Sequence, residues 1–150
     1  MSESVPNNQG QQAEGYTVDS FSGVAFATGL TDGNRSYAAW CHFAPTIASA
    51  SVIFSSGMTF IIPPLVALAM WQIKNADSPF IDDQGKEALN FQISLILLSL
   101  ICIPLIFMCG IGIPLLIIGI PALAIVGGIL GGVAAAKGKY FRYPMCIRLI

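Results

Sequence analysis

Charge is what this sequence has least of. Only 10% of its 150 residues are Asp, Glu, Lys or Arg, while 55% are apolar. A soluble domain carries about a quarter charged residues, because a surface facing water needs them. The shortage fits a chain whose surface faces lipid. Net charge is −1, so no basic field invites nucleic acid. Histidine occurs once, as His42, and the four cysteines, Cys41, Cys102, Cys109 and Cys146, form no Cys-x-x-Cys pair. That composition supplies no zinc set, and small buried hydrophobes are the ordinary role of such thiols. There is no nucleophile elbow, phosphate loop or pair of intramembrane carboxylates. No catalytic residues, cofactor or metal site are therefore expected, and the chain reads as non-enzymatic.

The few charges are unevenly placed. None lies between Arg35 and Lys74, and none between Glu87 and Lys137. The second gap is long enough for two helices of the ~20 residues that cross a bilayer. The first accommodates two short spans, or one broken span. Residues 1–36 are polar, with neither the basic start nor the apolar core of a signal peptide, and are expected to form a disordered tail. Residues 37–150 then form the transmembrane domain, with spans expected over 37–54, 58–73, 88–108 and 113–136 and a short cytoplasmic tail over 137–150. Pro63 and Pro64 are expected to kink the second span, and Asp32-Gly33-Asn34 to form the turn before the first. With four spans, all seven Lys and Arg residues fall on one side. The positive-inside rule makes that side cytoplasmic. The fold class is thus all-α: a polytopic integral membrane bundle of four helices, the first two short. It would sit in the cytoplasmic (inner) membrane with both termini cytoplasmic.

Between the gaps lies a charged island, Ser78 to Ser94. Asp82 or Asp83 suits a helix N-cap. Once helical, Asp83, Lys86, Glu87, Asn90 and Ser94 share one stripe by the 3.6-residue period. The stripe passes from charge to amide to hydroxyl as it enters the apolar span. An unpaired amide in hydrocarbon is costly, so Asn90, and Gln92 beside it, should face protein or water. The stripe reads either as a satisfied interhelical contact or as the polar mouth of a cavity. After the last span, Lys137, Lys139, Arg142 and Arg148 with Tyr140, Phe141 and Tyr143 read as a basic-aromatic collar on anionic headgroups. Ion pairs from the two arginines to Asp82, Asp83 or Glu87 are the alternative. His42, beside Cys41, is expected to make an interhelical hydrogen bond. In the last span, Gly127 with Gly131, and Gly128 with Gly132, form two rows spaced by four residues. Such rows let another backbone approach, within the bundle or across a homo-oligomer seam.

Two separated motifs carry a resemblance. Lys86-Glu87-Ala88-Leu89-Asn90-Phe91 follows a proline-containing helix that ends near Trp71. Ala135 to Arg148 then carries a glycine, a Tyr-Pro pair and a closing arginine at fixed spacing. Together they resemble a bacterial membrane family built on a domain of unknown function and related to the Tic-twenty-like proteins of the plastid inner envelope. That resemblance implies a small four-helix protein linked to protein translocation. Gln84 stands where the family often has His, which weakens any proton-linked role there.

Two functions follow as expectations. The first is a non-enzymatic subunit or accessory of a membrane assembly, whose partners are the lipid bilayer and either its own copies or other membrane proteins. The alternative is a small oligomeric channel or solute transporter with Lys86, Glu87, Asn90 and Gln92 at its cytoplasmic entrance. The four-span arrangement makes a topological prediction. A thiol introduced by Asn34→Cys should react with a membrane-impermeant label only from the cytoplasmic side, and labelling from outside would leave three spans.

Overall fold

The helices begin where serine, threonine and proline tell them to, not where hydrophobicity rises. The computed structural model describes residues 14–55, 57–144 and 146–150. It is mostly helical, with helices α1 (Asp32–Phe54), α2 (Ile62–Lys74), α3 (Pro79–Cys109) and α4 (Gly112–Ala136). Thr31 caps α1, its Oγ1 accepting from the Asn34 N–H at 3.1 Å. The expected turn at residues 32–34 is therefore the first turn of the helix. Ser78 caps α3, with its Oγ accepting from the Ile81 N–H and Pro79 in the first turn. Asp82 and Asp83 are thus not the cap, and α3 starts nine residues before the expected residue 88.

Proline explains the start of α2 and an irregular turn inside α4. Pro63 and Pro64 lie in the first turn of α2. Their missing N–H groups have no intrahelical acceptor there, so they start the helix and do not kink it. The expected start at residue 58 moves to Ile62 for the same reason. Pro121 lies inside α4 and has no N–H for the Ile117 carbonyl. Just before it the backbone widens into a π turn over Leu115–Gly119, closed by the Ile120 N–H on the Leu115 carbonyl.

Residues 15–28, expected in a disordered tail, instead form an antiparallel hairpin of β1 (Gly15–Val18) and β2 (Ala25–Thr28). The disorder expected for residues 1–13 lies outside the described residues. The chain after α4 runs along β2: the Ala27 N–H donates to the Gly138 carbonyl, and the Tyr140 N–H to the Ala25 carbonyl. Glu14 ties two helix starts together, accepting from Asn34 Nδ2 at 2.9 Å and from the sealed Ser78 hydroxyl. Under the hairpin, Ala38, Ala39, Phe80, Ile81 and Ala135 form a small core against Tyr140.

Helices α3 and α4 are long and apolar enough to cross a bilayer, each with a mean hydropathy of 2.5. Only 11% of the apolar window of α4 is buried inside the protein. A core helix of a soluble domain would be mostly buried. Helix α1 packs against α2, α3 and α4, and the glycine rows set how closely. Gly128 and Gly132 face α1, where the Thr46 side chain and the Phe43 ring occupy the space a Cβ would need. Gly127 and Gly131 face Phe91, His42 and Tyr143. Both rows are filled from within the chain.

The closeness of this contact is testable. Gly132→Leu forces the Phe43 ring aside and should lower stability by ~1–3 kcal/mol, the usual effect of overpacking. Denaturation of the full chain in detergent would measure it. Pairing it with Phe43→Ala should recover part of the loss, because residues in contact are not additive.

Candidate functional site

A buried carboxylate has to find donors, and Glu87 finds them in the chain's own C-terminal segment. Its side chain is 3% exposed. Glu87 Oε1 accepts from the Tyr143 backbone N–H at 2.7 Å. Arg148 lays its guanidinium edge along the carboxylate, with Nε on Oε2 and Nη2 on Oε1, both at 3.1 Å. Leaving such a charge unpaired would cost several kcal/mol. One turn earlier, Asp83 takes a two-pronged pair from Arg142 at 2.6 and 2.7 Å. The fixed fork of arginine suits this geometry, and lysine could not reproduce it. These contacts raise the pKa of both arginines, mainly through the hydrogen bonds to Asp83 and Glu87 respectively.

Further along the same face, the contacts are to backbone. Asn90 Oδ1 accepts from the Leu149 N–H at 2.9 Å and the Ile150 N–H at 3.2 Å, while its Nδ2 donates to the Ile150 carbonyl at 3.1 Å. Ser94 Oγ accepts from the Ile147 N–H at 2.9 Å and donates to the Asn90 carbonyl at 2.8 Å. The described residues after Arg142 form no helix or strand. Its N–H groups need partners, and the α3 side chains supply them. The tail reaches as far as Ser94 at Cys146 and Ile147, then returns past Glu87 and Asn90. It forms a hook laid on a polar rail. At a rise of 1.5 Å per residue the rail from Asp83 to Ser94 is about 16 Å long.

Of the five stripe residues read from the sequence, Asp83, Glu87, Asn90 and Ser94 meet the tail and Lys86 does not. Lys86 turns to Asp82 at 2.9 Å and stands over the Trp71 ring. Trp71 Nε1 donates to the same Asp82 at 2.8 Å. The indole leaves room only for glycine at position 85, where a Cβ would lie 2.8 Å from it. The expected headgroup collar is also only partial, since Arg142 and Arg148 point to acids of their own chain.

Three further residues join the rail without having been read from the stripe. Tyr143 stacks flat on Phe91, centroids 3.8 Å apart. Its hydroxyl lies 2.8 Å from His42 Nδ1, and burial raises its pKa. His42 Nε2 lies 3.1 Å from Gln84 Oε1, and Gln84 Nε2 donates to Asp83 at 2.9 Å. The Gln84 acceptor assigns the ring proton to Nε2, so Nδ1 accepts from Tyr143. His42 thus bonds across helices as expected, and a connected chain runs from Arg142 through Asp83, Gln84 and His42 to Tyr143. The one signal for it in the sequence was that a buried histidine and a buried glutamine each need a partner. Among the described residues no three His, Cys, Asp or Glu side chains converge as metal ligands do.

Comparison with known proteins corrects the resemblance drawn from the two motifs. No curated protein and no solved structure matches the chain. A family model does, over residues 33–150, and it is not that of the Tic-twenty-like proteins or their bacterial relatives. That match spans all four helices but for the first residue of α1, and it includes the rail and the whole of the tail. The chain belongs to the MamF/MmsF family, the magnetosome magnetite crystal formation protein family.

Proposed function

We propose that this chain is a non-enzymatic integral protein of the magnetosome membrane, acting in magnetite crystal formation as a structural or accessory subunit of a membrane assembly. Four helices lie in the bilayer as a polytopic bundle. The hairpin, the connection between α2 and α3, and the hooked tail lie together on the cytoplasmic side. The positive-inside pattern supports that orientation: the two turns on the opposite side carry no basic residue. Family membership supports the setting, and the uncovered apolar surface of α3 and α4 supports the embedding.

One observation favours a subunit over a channel. A channel entrance needs polar side chains free to meet a passing ion. Here Asp83, Glu87, Asn90 and Ser94 are occupied by Arg142, Arg148 and the tail backbone. The polar stripe holds the protein's own tail and leaves no acidic mouth.

Two measurements test the reading. Liposomes containing the full chain should pass neither ferrous ion nor small solutes, and a flux abolished by Asn90→Leu would establish the channel instead. In a magnetite-forming host, deleting the gene should alter crystal size or number in electron micrographs. Wild type should restore them. Asn90→Leu removes three hydrogen bonds to the tail, each worth ~1 kcal/mol. It should release the tail to protease and restore crystals poorly. Unchanged crystals after deletion would remove the proposed role.

A further inference from the structure

The face of α3 opposite the rail borders a space that the tail does not reach. A cavity of about 670 Å³ lies between α1, α2, α3 and α4, within the size range of small-ligand sites. Its walls are mainly apolar, with Pro63, Pro64, Leu95 and Ile120 among them. Ile53, Phe60 and Ile117, which also line it, are exposed, so the space reaches the outer surface of the bundle.

Gln92 breaks the apolar wall. The residue is 4% exposed and lines the cavity, and no described residue hydrogen-bonds its amide. Nor is that amide sealed away in protein, since Arg35 Nε is the sealed side-chain polar atom without a partner among the described residues. The Gln92 amide therefore opens on the cavity. The other polar groups there already have acceptors for their protons. Thr46, Ser49 and Ser99 donate to the carbonyls of His42, Pro45 and Leu95 at 2.7, 2.9 and 2.7 Å. Among the described residues no Asp, Glu, Lys or Arg lines the wall. The occupant that fits is long and apolar, with one uncharged acceptor near its end. Water fits poorly, because it needs two to four polar partners and apolar cavities stay dry.

Depth narrows the chemistry. Gln92 lies five residues beyond Glu87, about 7.5 Å along the helix axis. The interfacial layer of a bilayer is about 5–8 Å thick on each side of its hydrocarbon core. With the Glu87 clasp at the water boundary, Gln92 stands where ester carbonyls give way to acyl chains. Ser99 lies about 10 Å deeper. We infer that the cavity holds one acyl chain of a membrane glycerolipid, with its ester carbonyl accepting a hydrogen bond from the Gln92 amide. The inference rests on the membrane-embedded reading.

Native mass spectrometry of the full chain, washed extensively in detergent and then exposed to phosphatidylethanolamine, tests it. Wild type should show a species heavier by one lipid. Gln92→Leu should raise the lipid concentration for half-maximal binding about fivefold, the effect of one neutral hydrogen bond. Ser99→Phe fills the cavity, keeps Gln92, and should raise it as well. Ile129→Ala, on an exposed face of α4 outside the cavity, should leave it unchanged. Helix content by circular dichroism verifies that each variant is folded. Infrared spectra should place the bound ester carbonyl at lower frequency in wild type than in Gln92→Leu. Wild type without lipid, or equal retention in Gln92→Leu and Ser99→Phe, overturns the site. A chain that needs detergent but binds no lipid overturns the site alone, whereas one soluble without detergent overturns the membrane reading too.

Discussion

Glu87 is the constraint on which the rest depends. It sits on α3 where polar residues give way to apolar ones, and burial there demands donors. The Tyr143 N–H and the Arg148 guanidinium meet that demand, and meeting it fixes the tail. Once the Tyr143 backbone is held, its ring lies on Phe91 and its hydroxyl reaches His42 of α1. That ring fits only because Gly127 and Gly131 of α4 carry no side chain: a Cβ at Gly131 would stand 2.5 Å from the Tyr143 hydroxyl. A charge on α3 thus couples the tail, α1 and α4 in one chain of contacts.

Much of this arrangement can be read from spacing. Asp83, Glu87, Asn90 and Ser94 recur at intervals of four, three and four, so any helix through them puts them on one face. Lys86 lies about 70° from the middle of that face, beyond its edge, where Asp82 and Trp71 are its neighbours. Helix starts were harder to read, because charge and proline look like breaks. At Ser78-Pro79 and Pro63-Pro64 they are starting signals, and the distinction depends on whether the lost N–H would have had an acceptor. The hairpin gives no local signal either, since β2 gains its second neighbour from residues far along the chain, at Gly138 and Tyr140. The family was misread for a related reason. Two short motifs resembled one family, while the pattern over residues 33–150 belongs to another.

The tail shows why basic residues near a membrane do not all serve the same purpose. Arg142 and Arg148 are planar forks and pair with carboxylates edge to edge. The lysines of the same segment do not take part in the clasp. Lys139 lies over the Phe26 ring of the hairpin, 5.2 Å from its centroid. A headgroup collar would use arginine and lysine alike as surface charge. The division of labour between them here is what a built clasp requires.

Polar groups on opposite faces of α3 meet opposite conditions at nearly the same depth. Asn90 has every amide atom engaged by the tail. Gln92, about 200° around the helix, faces a space the tail does not enter. Prolines line that space. Pro63 and Pro64 begin α2 at its wall, and Pro121 with the π turn before it shapes α4 on the other side. Pro121 has no N–H for the Ile117 carbonyl and follows the widened turn, whereas Pro63 and Pro64 fit the first turn of a regular helix. Three prolines and the Gln92 amide, which has no partner among the described residues, line this one cavity. A lipid carbonyl entering from the bilayer would give that amide the hydrogen bond that burial otherwise denies it.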